Sequence, residues 1–412
     1  MTTHQTVFLF LDLAVVVALA RLVGALARRL GQPAVIGEIL AGVLIGPSLL
    51  GTGVTDVLFP ADVRPLLSTL ANVGVAVFMF GIGVELDRAL LRGKGKLATA
   101  VSLASIALPF ALGALLALYL VGNHTAPHRL GFVLFIGAAM SVTAFPVLAR
   151  ILADRGLSRT PVGGIALVCA AAGDLLAWCL LAVVVLVSGG GGQWLFLWGP
   201  AYLVVMLWLV RPLLRKVLTD RVPTSVALSI LIAGLLLSGA ATEWIGLHFI
   251  FGAFLFGVVV PHEGTSRLRE SVVERIDLFN GTLLLPVFFI VAGLKVDLSA
   301  IGATGVLELA LVLVAAVTGK LGGAFAAARL NGMPTREAAG LGVLMNTRGL
   351  TELIILSVGL RLGMLDQRLY SVMVVMAIVT TAMAGPLLRL LDLPTDPPAP
   401  VHRPRTAAAA AE

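Results

Sequence analysis

The sequence predicts an all-α polytopic membrane protein of about thirteen transmembrane helices, arranged as inverted repeats with two crossed, broken helices. Three observations carry this. The 412 residues are 59% apolar and only 12% charged, about half the charge of an ordinary soluble domain. Two polar interruptions, Ser141-Val142-Thr143-Ala144-Phe145-Pro146 and Asn346-Thr347-Arg348-Gly349-Leu350-Thr351-Glu352, lie deep inside apolar runs. A carboxylate, Asp174, and an ammonium, Lys320, stand in the middle part of two further runs, where ionised groups are costly and mark transport paths.

Apolar runs of roughly 17 to 27 residues fall near 7–27, 33–51, 65–84, 96–121, 131–152, 162–188, 194–214, 225–242, 247–261, 277–294, 303–328, 337–359 and 367–391. The first is no cleaved signal peptide: its apolar stretch is too long, and Arg28-Arg29 follow rather than precede it. Residues 1–391 therefore form one transmembrane domain. Residues 392–412, rich in proline and alanine, read as a disordered cytoplasmic tail without room for a regulatory domain.

Charge tests the count. The net charge is +7, which by itself fits a nucleic-acid binder. When successive connections are placed on alternate sides of a membrane, however, most of the 29 lysines and arginines gather on one side. Basic loops stay cytoplasmic, which puts the protein in the cell membrane with the N-terminus outside and the C-terminus inside, and removes nucleic acid as a partner. The two cysteines, Cys169 and Cys179, sit too far apart along one helix for a disulfide and lack metal-site spacing. No nucleophile constellation, metal cluster or phosphate loop marks an enzyme, and no cofactor is implied.

Spans four to six and eleven to thirteen correspond. In each triplet the middle helix is interrupted, at Pro146 and at Asn346–Glu352. The second triplet enters the membrane from the opposite side. Crossed interruptions near the midplane free carbonyls and helix ends that coordinate a cation or receive a charge.

Asp174 is the candidate transport-site carboxylate, with Lys320 as its charge partner. Thr143 and Ser141 at the first break, and Asn346 and Thr347 at the second, supply oxygens beside it. Arg348 and Glu352 are four apart, on one helical face, and read as a structural ion pair that fixes the second broken helix. Asp12, Glu38 and Glu308 lie near span ends, where solvated or interfacial positions are expected. Pro47 and Pro286 mark a helix end and a kink, and Gly74, Gly81, Gly83, Gly252 and Gly257 allow close helix packing.

Leu30-Gly31-Gln32-Pro33 through Gly46-Pro47-Ser48, Thr143-Ala144-Phe145-Pro146-Val147-Leu148-Ala149-Arg150, Gly293-Leu294-Lys295-Val296-Asp297 and Asn346–Leu353 resemble the monovalent cation:proton antiporter-2 family, which includes Kef-like bacterial transporters and plant cation/proton exchangers. The resemblance covers about residues 7–391. It implies a sodium/proton antiporter-like fold with a mobile core, a dimerisation domain and a homodimer in the bilayer. It also implies that Asp174 binds Na⁺ or K⁺ and H⁺ in turn, and that Lys320 is the family's membrane lysine. Gly173 departs from the pattern, since relatives usually carry a residue with a side-chain oxygen there.

The expected function is secondary active exchange of Na⁺ or K⁺ for H⁺ by alternating access. The alternative is a K⁺ channel or uniporter without proton coupling. A buried aspartate facing a buried lysine argues against a pore, which favours rings of carbonyls or like charges.

Overall fold

The computed structural model describes residues 2–85, 96–124, 126, 128–157, 160–187, 198–219, 221–245, 248–261, 266–299 and 301–393. Among these every regular element is a helix. The tail beyond residue 393 lies outside them.

The chain opens with α1 (Thr3–Arg29), α2 (Ala34–Ile45), α3 (Pro47–Leu58) and α4 (Arg64–Glu85). The first triplet follows: α5 (Lys96–Leu120), the interrupted pair α6 (Arg129–Ser141) and α7 (Phe145–Asp154), and α8 (Pro161–Val187). Next come α9 (Trp198–Val205), α10 (Arg211–Val217), α11 (Thr224–Ile245), α12 (Phe249–Val259), α13 (Ser266–Phe279) and α14 (Leu285–Leu294). The second triplet is α15 (Gly302–Val317) with α16 (Gly323–Leu330), the interrupted pair α17 (Thr335–Met345) and α18 (Leu350–Arg361), and α19 (Gln367–Leu391). Short π-helical turns join α9 to α10, α13 to α14 and α15 to α16.

Among the described residues eight helices are long and apolar enough to cross a membrane, and the α17–α18 pair, bent by 40°, makes nine. The remaining apolar runs fall on shorter or broken helices, so this criterion does not establish the count of about thirteen.

The interruptions follow from local chemistry. Pro146 occupies the first turn of α7, where a missing N–H removes no helical bond. Val142, which ends α6, is extended at φ −70°, ψ 141°. At the second break Gly349 is needed for space: a Cβ there would lie 2.5 Å from Val147 Cγ2 of α7. Pro47 begins α3, as its position suggested.

Packing sorts the helices into two groups. One holds α1, α2, α4 and α11–α14; the other holds α5–α8 and α15–α19. Within the first group glycines let backbones touch. A Cβ on Gly83 would come within 2.2 Å of Phe254 O, and one on Gly257 within 2.3 Å of Phe80 O, so α4 and α12 meet without side chains between them.

Asp12 and Glu308 are corrections, both 0% exposed rather than solvated. Glu308 accepts from Arg368 Nη2 at 3.0 Å and Asn123 Nδ2 at 3.2 Å, and His124 bridges from Glu308 Oε2 (3.2 Å) to Asp366 Oδ2 (2.6 Å). Loops at the ends of α5 and α19 fold over α15 and bury a carboxylate that span position alone leaves at the surface.

Candidate functional site

The two interruptions meet in the middle of the second helix group, and each closes the other. Ala144 N–H of the first break donates to Thr347 O of the second at 3.2 Å. Thr143 Oγ1 donates to Met345 O, at the end of α17, at 3.1 Å. In the opposite direction Arg348 extends Nη1 to Ala139 O (3.0 Å) and Nη2 to Met140 O (2.7 Å), the last carbonyls of α6. A guanidinium at a helix C-terminus also faces the negative end of the macrodipole.

Arg348 Nη1 additionally bonds Glu352 Oε2 at 2.6 Å, both side chains being fully buried. The i,i+4 pair read from the sequence therefore forms, and its arginine does more: it ties one broken helix to the other. Thr381 of α19 holds the same segment, accepting from Arg348 N–H at 2.9 Å and donating to Arg348 O at 2.7 Å.

Asp174 lies midway along α8 and is 4% exposed. The backbone amide of Phe145, the first residue of α7, lies close enough to act on its carboxylate. The positive end of α7 thus faces the acid. Asp174 Oδ1 has no hydrogen-bond partner, and neither does Asn346 Oδ1 at the end of α17, which packs on α8. Both are buried oxygen acceptors, the donor type that Na⁺ and K⁺ coordinate. A Cβ on Gly173 would meet nothing within 4 Å, so the position before the aspartate has open room.

Lys320 sits in the π-helical turn between α15 and α16 and is 0% exposed. Its Nζ donates to Thr143 Oγ1 at 2.6 Å, rather than forming the direct ion pair with Asp174 that two buried opposite charges suggested. The ammonium remains close enough to act on Asp174 through space. A Cβ on Gly319 would collide with Pro109 Cα at 2.7 Å, so the turn presses directly on α5. The first helices of the two triplets therefore support the lysine together.

Ser141 and Thr347 are less engaged. Ser141 Oγ shares its proton between Gly137 O (2.8 Å) and Ile106 O (3.1 Å), and Thr347 Oγ1 donates to Leu344 O (2.8 Å), so both hydroxyl protons are taken up by backbone carbonyls. Thr381 and the Phe145 amide escaped the sequence reading. Thr381 carried a weak signal, as one of two adjacent threonines in the last apolar run; the amide carried none.

Comparison with known proteins fits this arrangement. Residues 15–391 match the family described as sodium/hydrogen exchanger, transmembrane. The chain is 40% identical over 98% of its length to the Na⁺/H⁺ antiporter NhaS4 of Synechocystis, all of which it covers. It is 38% identical to cation/H⁺ antiporter 20 of Arabidopsis thaliana and 33% identical to K⁺/H⁺ antiporter 1 of Saccharomyces cerevisiae, in each case over 94% of its own length. It spans about half of those two relatives, 48% and 46%. The sodium proton antiporter MjNhaP1 of Methanocaldococcus jannaschii shares the fold, with a TM-score of 0.70 and 16% identity over 95% of this chain and 99% of that one. These are transporters and not enzymes, and with a family match across almost the whole helical region, the chain belongs to the transmembrane sodium/hydrogen exchanger family.

Proposed function

We propose that the protein exchanges Na⁺ or K⁺ for H⁺ across a cell membrane, with Asp174 binding the two in turn. The observation that carries this reading is a buried carboxylate at the crossing of two broken helices, with one oxygen unpartnered and a helix N-terminus facing it. The antiporter relatives support the same reading.

Coupling follows from the cost of charge. An empty anionic Asp174 held away from water costs several kcal/mol, whereas the protonated acid and the cation-bound carboxylate are each close to neutral. Only those two forms move between exposures to the two sides, so one ion is released before the other is taken up. The Phe145 amide faces the carboxylate, and Asn346 Oδ1 adds a second oxygen. Lys320, anchored on Thr143, supplies a positive field that competes with the cation.

The second helix group forms the moving body and the first the scaffold of a homodimer. The N-terminus lies outside and the C-terminus in the cytoplasm, as the clustering of basic residues indicates.

Purified protein in liposomes with an internal pH dye tests this, with an imposed pH gradient and Na⁺, K⁺ or choline outside. Na⁺ or K⁺ is expected to collapse the gradient, and Asp174→Asn, folded by its melting profile, to abolish the response. Full exchange by Asp174→Asn sinks the shared-site mechanism. Cation flux without any proton response replaces the antiporter with a channel.

A further inference from the structure

The segment Lys295-Val296-Asp297-Leu298-Ser299 leads from α14 of the first helix group towards α15 of the second. It carries the end of the Gly293–Asp297 stretch, which the ion site at Asp174 does not use. α14 ends at Leu294, and carbonyls at a helix C-terminus lack partners within the helix. Here the other helix group meets them.

Three side chains in the first two turns of α19 make the bonds. Gln367, Tyr370 and Ser371 stand three and four positions apart, hence on one face. Tyr370 Oη donates to Ala292 O at 3.0 Å, Gln367 Nε2 donates to Lys295 O, and Ser371 Oγ accepts from the Asp297 N–H at 2.9 Å. Tyr370 and Ser371 are both 0% exposed, so water does not compete for their bonds. Ser48, at the start of α3, holds the same segment from the first group: its Oγ donates to Val296 O at 2.7 Å and accepts from the Leu298 N–H at 2.9 Å. The segment is a strap hydrogen-bonded to both groups.

At the other end of α19, where Arg389 lies near Arg28 and Arg150, the two groups stand apart. A cavity of about 230 Å³ there has Phe78, Leu285 and Phe289 of the first group on one wall and Val147 and Leu350 of the second on the other. Val147 and Leu350 flank the crossed interruptions, since a Cβ on Gly349 would touch Val147. The approach to the crossing is therefore open on the arginine-rich side and strapped shut on the opposite one.

We propose that Gln367, Tyr370 and Ser371 form a latch that closes the strap side of the ion path and that opens and recloses in every exchange cycle. This rests on the exchange reading, with the second group as the moving body. Movement of α19 with that group breaks the three bonds, while Ser48 keeps the strap on the first group. Water entering on the strap side then takes up the freed carbonyls and amide, so the latch can release without leaving them unmet.

The test is the variant Asp297→Cys/Ser371→Cys/Cys179→Ser in the liposome exchange assay, first with oxidant and then with reductant. The 2.9 Å contact brings residues 297 and 371 within reach of a disulfide, and the remaining Cys169 is buried. Oxidation is expected to stop exchange and reductant to restore it, with wild type unchanged by either. A disulfide-linked protein that exchanges at the reduced rate overturns the latch and makes the strap a fixed joint. Failure of the disulfide to form in folded protein, both there and in Lys295→Cys/Gln367→Cys, overturns it too. Should the first variant not fold, the second pair carries the same test. Wild type and the reduced variant report on exchange itself, so a failure of the Asp174 reading appears in them and a failure of the latch only in the oxidised variant.

Discussion

Arg348 donates to Met140 O at 2.7 Å, so a side chain in one interrupted helix caps the end of the other. The same guanidinium holds Glu352. Removing it therefore leaves a buried carboxylate unpaired and the Met140 carbonyl unmet, while Ala139 O keeps the Val142 amide. Arg348→Ala is expected to cost about 3–5 kcal/mol, read as a lower melting midpoint and lost exchange. Arg348→Lys should recover only part, because one ammonium cannot reach both carbonyls and the carboxylate. The paired replacement Arg348→Met with Glu352→Leu should melt above Arg348→Ala, since it leaves no orphaned charge.

Thr143 links both halves of the site, giving its proton to Met345 O and accepting from Lys320 Nζ. Thr143→Val keeps the shape but strips both bonds, at a cost of about 1–3 kcal/mol for each buried group left unmatched. Thr143→Ser should preserve both bonds. The expected outcome is a shifted pH profile of exchange in the valine variant and a wild-type profile in the serine variant. Identical profiles for all three proteins would show that the Lys320 contact has no part in transport.

The free space beside Gly173 makes an addition possible next to Asp174. Gly173→Asn should fold normally and gain a few tenths of a kcal/mol from helix propensity, while bringing a new oxygen to the site. Liposome assays are expected to show a lowered apparent KM for the transported cation with the melting midpoint held or raised. A drop in melting midpoint would mean that the space is already filled in the membrane.

His248, just before α12, is pushed down to about 3 by burial and by the Arg361 guanidinium at 3.3 Å, with Glu243 beside that arginine. Between that value and the ordinary 6.5 the unfolded chain binds a proton that the folded protein does not. Stability therefore falls as the pH drops through this window, by at most about 1.4 kcal/mol per pH unit from this group. Melting curves of detergent-solubilised protein from pH 7.5 to 4.5 should show a shallower decline for His248→Gln than for wild type.

Much of this was legible in the sequence because the membrane simplifies the problem. Apolar length locates helices, and any polar residue deep in such a run is costly enough to need a purpose; Asp174, Lys320 and both breaks are found that way. The partners were not legible. Whether Lys320 meets Asp174 or Thr143 depends on a π-helical turn pressed against Pro109, and no periodicity encodes it. Glu308 read as solvated because its burial comes from Asn123, His124, Asp366 and Arg368, residues in or beside connecting loops. Arg348 and Glu352 were found as a pair from spacing alone, but the reach of Arg348 to Met140 of α6 crosses a sequence separation of 208 positions.

That separation also sets an order of events at the ribosome. Synthesis at about 5–20 residues per second leaves roughly ten to forty seconds between the emergence of Met140 and that of Arg348. Through this interval the nascent first half carries the carbonyls of Ala139 and Met140 and the amide of Ala144 without their eventual partners, in a lipid phase that offers none. The first half therefore reaches its full set of backbone bonds only when the second half arrives.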